Sequence, residues 1–325
     1  MKAMLCKEYG PPESLVLEDF ELSAPGPDEV RVRVRSAGVN FPDVLIIQGK
    51  YQFKPPFPFA PGSECAGDVI AVGDNVSEFK PGDRVIALTG NGAFAEEVNV
   101  RAIKCVPLPD DMDYKLGSAF VLTYGTSMFA LKQRARLKAG EWLLVHGASG
   151  GVGLSAVEIG KAMGAKVIGT GGSDEKLKTV LEHGADHVIN YNDGPFKDEV
   201  KKLCGGAGAD VIYDAVGGDV FDQSLRCINW DGRLLVIGFA SGRIPEAPAN
   251  LALLKNCAIV GVFWGAWTER EPQGNRDNIA ELFQWVREGK LKPHISHSFS
   301  LAEVPDALYA LINREVVGKA VVEID

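Results

Sequence analysis

VLTYGTSMFALKQRARLKAGEWLLVHGASGGVGLSAVEIGKAMGAKVIGTGGSDEK, residues 121–176, holds a strand, a glycine-rich turn, a helical segment and a second strand in immediate succession. The strand Leu143 to His146 runs into Gly147, Ala148, Ser149, Gly150, Gly151, Val152 and Gly153, and then into the helix. A dinucleotide-binding turn needs glycine where the backbone bends tightly, where it approaches a diphosphate, and where helix packs on strand. Gly150 and Gly153 fill the last two roles. Ala148 stands where the first glycine is expected, and Gly147 beside it can make the bend. The helix start then offers free N–H groups and the positive end of its dipole to a diphosphate. A bare G-x-x-G is also an ordinary turn, and it is the flanking strand, helix and second strand that favour a dinucleotide site.

The end of the second strand selects the cofactor. An acid there would accept from both ribose hydroxyls of NAD, but this strand ends GTGGSDEK, with no acid at Thr170 or Gly171. Ser173 and Lys176 are placed instead to bind a 2′-phosphate through charge-assisted hydrogen bonds, which predicts NADPH. Asp174 is the competing observation: it is either an NAD acid displaced by a longer turn or, with Glu175, a favourable charge at a helix N-terminus.

Outward from this segment, the pattern divides the chain into three. Residues 1–122 carry short β-like runs broken by Pro and Gly, among them EVRVRVRSAGVN, AGDVIAVG and AFAEEVNV; strict alternation in VRVRVR predicts a half-exposed strand. Residues 123–262 alternate helical segments with the apolar runs WLLVHG, KVIGTG, HVIN, DVIYDAV, RLLVIGF and CAIVGVF. Such runs are those of parallel strands covered on both faces. Residues 263–325 contain a helix near NIAELFQWVREGKL and a terminal strand, and are predicted to return to the first domain. At 325 residues, about two domains are expected. A net charge of −9 argues against a nucleic acid partner, which calls for a basic surface. No run of 18 apolar residues predicts a membrane span. Cys6, Cys65, Cys105, Cys204, Cys227 and Cys257 include no C-x-x-C pair. Free thiols and an N-terminus without the apolar stretch of a signal peptide lead to the expectation of a cytoplasmic protein.

The segments AGVNFPDVLIIQGKY, APGSECAGDVIAVGDNV, FKPGDRVIAL, VHGASGGVG and VVGKAVVEI, in this order along nearly the whole chain, resemble the medium-chain dehydrogenase/reductase superfamily in its zinc-independent quinone oxidoreductase branch. The resemblance implies an α/β fold: a GroES-like β domain built from both chain ends and a central Rossmann-type domain with a doubly wound parallel sheet. It also implies a homodimer or tetramer, the dimer formed through the edge strand near 257–263. The zinc alcohol dehydrogenases of the superfamily hold catalytic zinc with Cys, His and Cys. The matching positions here are Asn40, Ser63 within Gly62-Ser63-Glu64, and Leu122 or Thr123, and only Cys105 lies near the region of a structural zinc lobe. No metal is expected.

Without a Lewis acid, alcohol oxidation is disfavoured, whereas a quinone or an enone is already activated by conjugation. The expected function is therefore hydride transfer from NADPH to a small-molecule acceptor of that class. The protein would contribute positioning and hydrogen-bond donors where enolate charge develops. By resemblance, Asn40 lies beside the nicotinamide ribose and Tyr51 faces the reacting carbon as proton donor, unless Tyr51 only lines the pocket and water supplies the proton. Asp43 supports the loop, and Phe41, Trp264 and Trp267 are either pocket wall or core. Further cofactor contacts implied are Thr126, Tyr191 at the adenosine phosphate, Phe239, Val262 and Phe263 toward the carboxamide, and Lys319 at the nicotinamide half, or else Lys319 is a solvated charge at a strand edge. Two other readings stand beside this one: an enoyl-thioester or haloacrylate reductase, and an NADPH-binding sensor or structural protein without turnover.

Overall fold

The computed structural model describes residues 1–324. They separate into two compact units, one made of Met1–Leu122 with the chain from Pro293 onward, the other of Thr123–Lys292. In the first unit, β1 (Lys2–Leu5) pairs antiparallel with β2 (Val16–Asp19). β3 (Glu29–Val39) follows the alternation of its sequence: Val30, Val32 and Val34 are buried while Arg33 is exposed, as a strand with a period of two requires. Helix α1 (Phe41–Ile47) follows, then β4 (Glu64–Val72), β5 (Arg84–Ala87), β6 (Glu97–Arg101) and β7 (Cys105–Pro107), with the short α2 (Tyr114–Ser118).

The chain leaves this unit within α3 (Val121–Met128). The second unit contains β8 (Trp142–His146), α4 (Gly151–Ala162), β9 (Lys166–Gly171), α5 (Asp174–Glu182), β10 (His187–Asn190), α6 (Lys197–Leu203), β11 (Ala209–Asp214), α7 (Gly218–Cys227), β12 (Ile228–Val236), α8 (Ala249–Lys255) and β13 (Ala258–Gly261). The six strands form one parallel sheet in the order β10-β9-β8-β11-β12-β13. This is a doubly wound arrangement: the chain starts at β8, builds outward to β10, then crosses to β11 and builds the other way. Helices α4 and α5 pack on β8, β9 and β10, and α7 and α8 on β11 and β12; right-handed crossovers place the two sets on opposite faces. Covered on both sides, Leu143, Leu144, Val167, Ile168, Val211 and Ile212 are completely buried, which is why these strands read as unbroken apolar runs.

The predicted return of the chain at residue 263 is corrected to 293. Helices α9 (Trp264–Arg270) and α10 (Pro272–Arg287) remain with the second unit. Trp264 packs so closely on Gly125 that a Cβ there would lie 2.6 Å from the indole, and Trp267 stacks on Phe129 with centroids 4.6 Å apart. Asn278 and Gln133 exchange side-chain hydrogen bonds of 2.9 and 3.1 Å. The two tryptophans are thus committed to contacts inside this unit. Only β14 (Ile295–Ser300), α11 (Val304–Ile312) and β15 (Lys319–Glu323) complete the first sheet, in the order β14-β15-β3-β4-β5-β7 with β6 paired to β3. β15 runs antiparallel to β3 with Ala320 opposite Val39.

Candidate functional site

Most of the residues singled out in the second unit follow the C-terminal ends of its strands, where open α/β sheets bind ligands. After β8, Gly147 takes a φ of +62° and makes the bend that Ala148 could not, while the Ala148 amide donates to Thr170 O at 2.9 Å. A Cβ on Gly153 would drive into the carbonyl oxygen of Gly147 and lie 2.8 Å from Ala148 Cα, so this glycine permits the close approach of α4 to β8. Gly150 is the N-cap of α4 and its carbonyl takes the first helical bond, from Leu154 N at 2.8 Å. The amides of Gly151, Val152 and Gly153 are then the outward-pointing donors of a helix start. The turn therefore fits a diphosphate.

A device that sequence reasoning missed holds this turn in place. Ser127, on α3, lies 2.9 Å from Val152 O, 2.9 Å from Ser155 Oγ and 2.8 Å from Tyr213 Oη. Thr126 is its half-buried neighbour on the same helix. His146, the last residue of β8, is completely buried between Thr170 Oγ1 and Ser224 Oγ, each at 2.8 Å. Burial pushes its imidazole down to about 3, so it is neutral at physiological pH and ties β8, β9 and α7 together.

At the end of β9, Ser173 is the N-cap of α5 and Lys176 lies half-buried in its first turn. The Tyr191 ring, after β10, sits against the same turn: a Cβ on Gly172 would lie 3.1 Å from it. Ser173, Lys176 and Tyr191 thus lie about the turn from β9 into α5. After β11, Asp214 accepts from the amides of Val216 and Gly217, both at 2.9 Å. Burial pushes its carboxyl up, and those two hydrogen bonds oppose the shift. No motif marked Asp214 beforehand; its only signal was an acid ending the apolar run DVIYDAV. Phe239, after β12, rests on Gly217. Val262, after β13, donates its amide to Val236 O at 3.1 Å, and Phe263 beside it is exposed.

The first unit holds a buried polar cluster. Asn40, Asp43, Ser63, Glu64 and Lys319 are all at most 8% exposed. Because Ala320 opposes Val39 across the sheet, Lys319 arrives opposite Asn40. Its ammonium donates to Asn40 Oδ1 at 2.6 Å, Glu64 Oε1 at 2.9 Å and Val39 O at 3.1 Å. Asn40 Nδ2 donates to Glu64 Oε1 at 2.9 Å and Gly38 O at 3.2 Å, and Leu122 N donates to Glu64 Oε2 at 3.1 Å. All three ammonium protons and both amide protons are spent. Burial corrects the alternative reading of Lys319 as a solvated edge charge: it supports Asn40 from inside. Asp43 accepts from Asn40 N at 2.8 Å, at the start of α1. Burial pushes its carboxyl up to about 7 against the lowering pull of Asn40 N, Ser63 and the Lys319 charge. Tyr51 packs half-buried on the core of this unit. Burial, and then the Asp43 charge, push its phenol above the ordinary value, so it keeps its proton at neutral pH.

Residues 26–110 match the family model described as alcohol dehydrogenase GroES-like domain, and residues 151–283 that described as zinc-binding dehydrogenase. The chain is 43% identical to a quinone oxidoreductase-like protein 2 homolog of Nematostella vectensis over 99% of its own length and 88% of the relative's. It is 38% identical to a quinone oxidoreductase of Pseudomonas aeruginosa, covering 96% of each chain. The crystal structure of Escherichia coli quinone oxidoreductase complexed with NADPH superposes with a TM-score of 0.93 at 29% identity, over 99% of this chain and 100% of the other. Among the described residues, no group of three or more His, Cys, Asp or Glu side chains could hold a metal ion, and the cluster at Asn40 and Ser63 is built around an ammonium. Nor, among the described residues, is any helix long and apolar enough to cross a membrane.

Proposed function

The chain belongs to the quinone oxidoreductase family of the medium-chain dehydrogenase/reductase superfamily, and within it we propose an NADPH-dependent reductase of quinones or α,β-unsaturated carbonyl compounds that works without zinc. The observation that carries this reading is the Lys319–Asn40–Glu64 cluster: a fixed cation with every proton committed stands where the zinc enzymes of the superfamily gather metal ligands. An alcohol would have to lose its proton to a Lewis-acid-assisted or general-base site, and a hydrogen-bonded ammonium is neither. A conjugated acceptor needs no such site, because its carbonyl already draws electron density from the alkene or ring.

NADPH, when bound, would supply the hydride. The amides of Gly151, Val152 and Gly153 would hold its diphosphate, and Ser173, Lys176 and Tyr191 its 2′-phosphate end. With Oδ1 accepting one hydrogen bond from Lys319, Asn40 keeps a second lone pair for a ribose hydroxyl. Tyr51 would donate the proton that, with the hydride, completes two-electron reduction of the acceptor; water is the competing donor, and Tyr51→Phe separates the two by its effect on enone turnover.

Fluorescence titration with NADPH and NADH, followed by addition of 1,4-benzoquinone or an enone while absorbance of the reduced nicotinamide is recorded, tests the reading. Rapid oxidation by protein holding no stoichiometric zinc is the expected result. Binding without oxidation by any such acceptor would favour a sensor, and near one zinc per chain would sink the metal-free mechanism. Lys176→Ala should weaken NADPH by roughly 10- to 150-fold, for a charged hydrogen bond of about 1.5–3 kcal/mol, with NADH nearly unchanged.

We also propose a homodimer through β13, an outer strand of the parallel sheet. Helix α8, which precedes it in the chain and packs on β12, has no buried residue, with Leu253 and Leu254 at 79% and 66% exposure. A bare edge with an apolar flank invites pairing, and a second copy supplies a matching edge. Sedimentation should give a dimer, and Leu253→Glu with Leu254→Glu a monomer; a monomeric wild type at micromolar concentration would refute the proposal. We place the protein in the cytoplasm, where its free cysteines stay reduced; recovery from a secreted fraction would contradict this.

A further inference from the structure

An acid after the second strand serves NAD by accepting from the ribose hydroxyls, and the same charge repels a 2′-phosphate. Asp174, the exposed first residue of α5, is such an acid. The structure shows where its carboxylate is held. β10 lies on the side of β9 away from β8, and its last residue, Asn190, is in register with Gly171 at the end of β9. Asn190 Nδ2 donates to Asp174 Oδ1 at 2.9 Å. The amide cannot turn over without loss, because its oxygen accepts from Asn192 N at 3.0 Å. Asn192 Nδ2 in turn donates to Gly172 O at 2.8 Å, so one loop grips both the turn and the acid. Asp174 is tethered toward β10, and the glycine turn that fits a diphosphate follows β8, on the opposite side of β9.

We propose that Asn190 is a specificity-determining residue: by holding Asp174 on the β10 side it disarms the acid that would otherwise favour NADH and repel a 2′-phosphate. The inference rests on the NADPH reading above. It predicts an energetic coupling between Asn190 and Asp174 that appears only with the phosphorylated cofactor.

The test is fluorescence titration of the full-length protein with NADPH and with NADH, for wild type, Asn190→Ala, Asp174→Asn and the double variant. Asn190→Ala should weaken NADPH by about tenfold, the scale of one hydrogen bond to a charged group, and leave NADH unchanged or tighter. Adding Asp174→Asn should restore NADPH binding. Asn190→Asp keeps the acceptor for Asn192 but sets a second negative charge against Asp174; it serves as the second variant, with an equal or larger loss. An unchanged NADPH-to-NADH ratio, equal loss of both cofactors, or failure of Asp174→Asn to rescue overturns the proposal. A wild type with no preference for NADPH overturns the NADPH reading itself and this inference with it, a result distinct from a selective wild type whose ratio ignores Asn190.

Discussion

Gly153→Ala is expected to weaken NADPH binding by 100-fold or more and to lower the melting temperature, whereas Gly150→Ala should leave stability nearly unchanged. The two glycines flank the same helix start, but their surroundings differ. A Cβ at Gly153 meets the backbone of Gly147 and Ala148, which cannot rotate away; a Cβ at Gly150 meets nothing closer than Gly147 O at 3.4 Å. Accommodation at 153 requires α4 to lift from β8, and such overpacking costs about 1–3 kcal/mol, or roughly 2–12 °C in melting temperature for a unit of this size. The lift also displaces the amides of Gly151 and Val152. Losing two hydrogen bonds to a charged diphosphate, at about 1.5–3 kcal/mol each, gives a loss of roughly 150-fold or more. Differential scanning fluorimetry and NADPH titration read the two effects separately. A Gly153→Ala protein that melts with wild type and binds within threefold would show that close packing does not shape the cradle.

Lys319→Met should cost about 3–5 kcal/mol, because removing one partner of a buried pair strands the other charge. Lys319 and Glu64 have side chains 6% and 0% exposed, so solvent cannot replace the lost ammonium. The loss should grow with pH. Lys319 is among the influences holding down the Asp43 carboxyl, which burial already raises to about 7. Without the cation it moves further up, and an acid raised in the folded state above its unfolded value costs stability progressively as pH rises from the unfolded value through the folded one. Urea unfolding at pH 5 and pH 8 should therefore show the larger deficit at pH 8. Lys319→Met with Glu64→Gln should recover much of it, since a neutral polar pair leaves no stranded charge. A deficit under about 1 kcal/mol at pH 8 would mean that the ammonium does not stabilise the cluster.

The contrast between these two sites explains what was legible in the sequence. Gly147, Gly150 and Gly153 could be assigned because a strand–turn–helix is a local object: the strand end, the bend and the helix start lie within a few residues, and each imposes its own steric demand. Ser173 and Lys176 were read from their position after a strand and Tyr191 from family resemblance, and the three lie about one turn. The boundary at 263 was misplaced because α9 and α10 look like any amphipathic pair. Whether Trp264 and Trp267 pack on Gly125 and Phe129 or elsewhere is not written in their own periodicity. Ser127 and Asp214 escaped notice for a related reason, since a hydroxyl in a helix or an acid ending a strand signals nothing until its partners are known.

What the sequence by itself determined is the doubly wound sheet and its nucleotide turn, since burial of a parallel strand on both faces and the sterics of a tight βα turn constrain residues close together in the chain. What only the tertiary structure decided is the chemistry of the first unit. Asn40, Glu64 and Lys319 meet because β15 and β4 align on either side of β3, with Ala320 opposite Val39 and Gly38 opposite Glu64. A slip of one residue in either register would turn those side chains to the other face of the sheet. Lysine buried as the centre of a hydrogen-bonded cluster and lysine solvated at a strand edge have the same local sequence, and only the alignment of distant strands separates them.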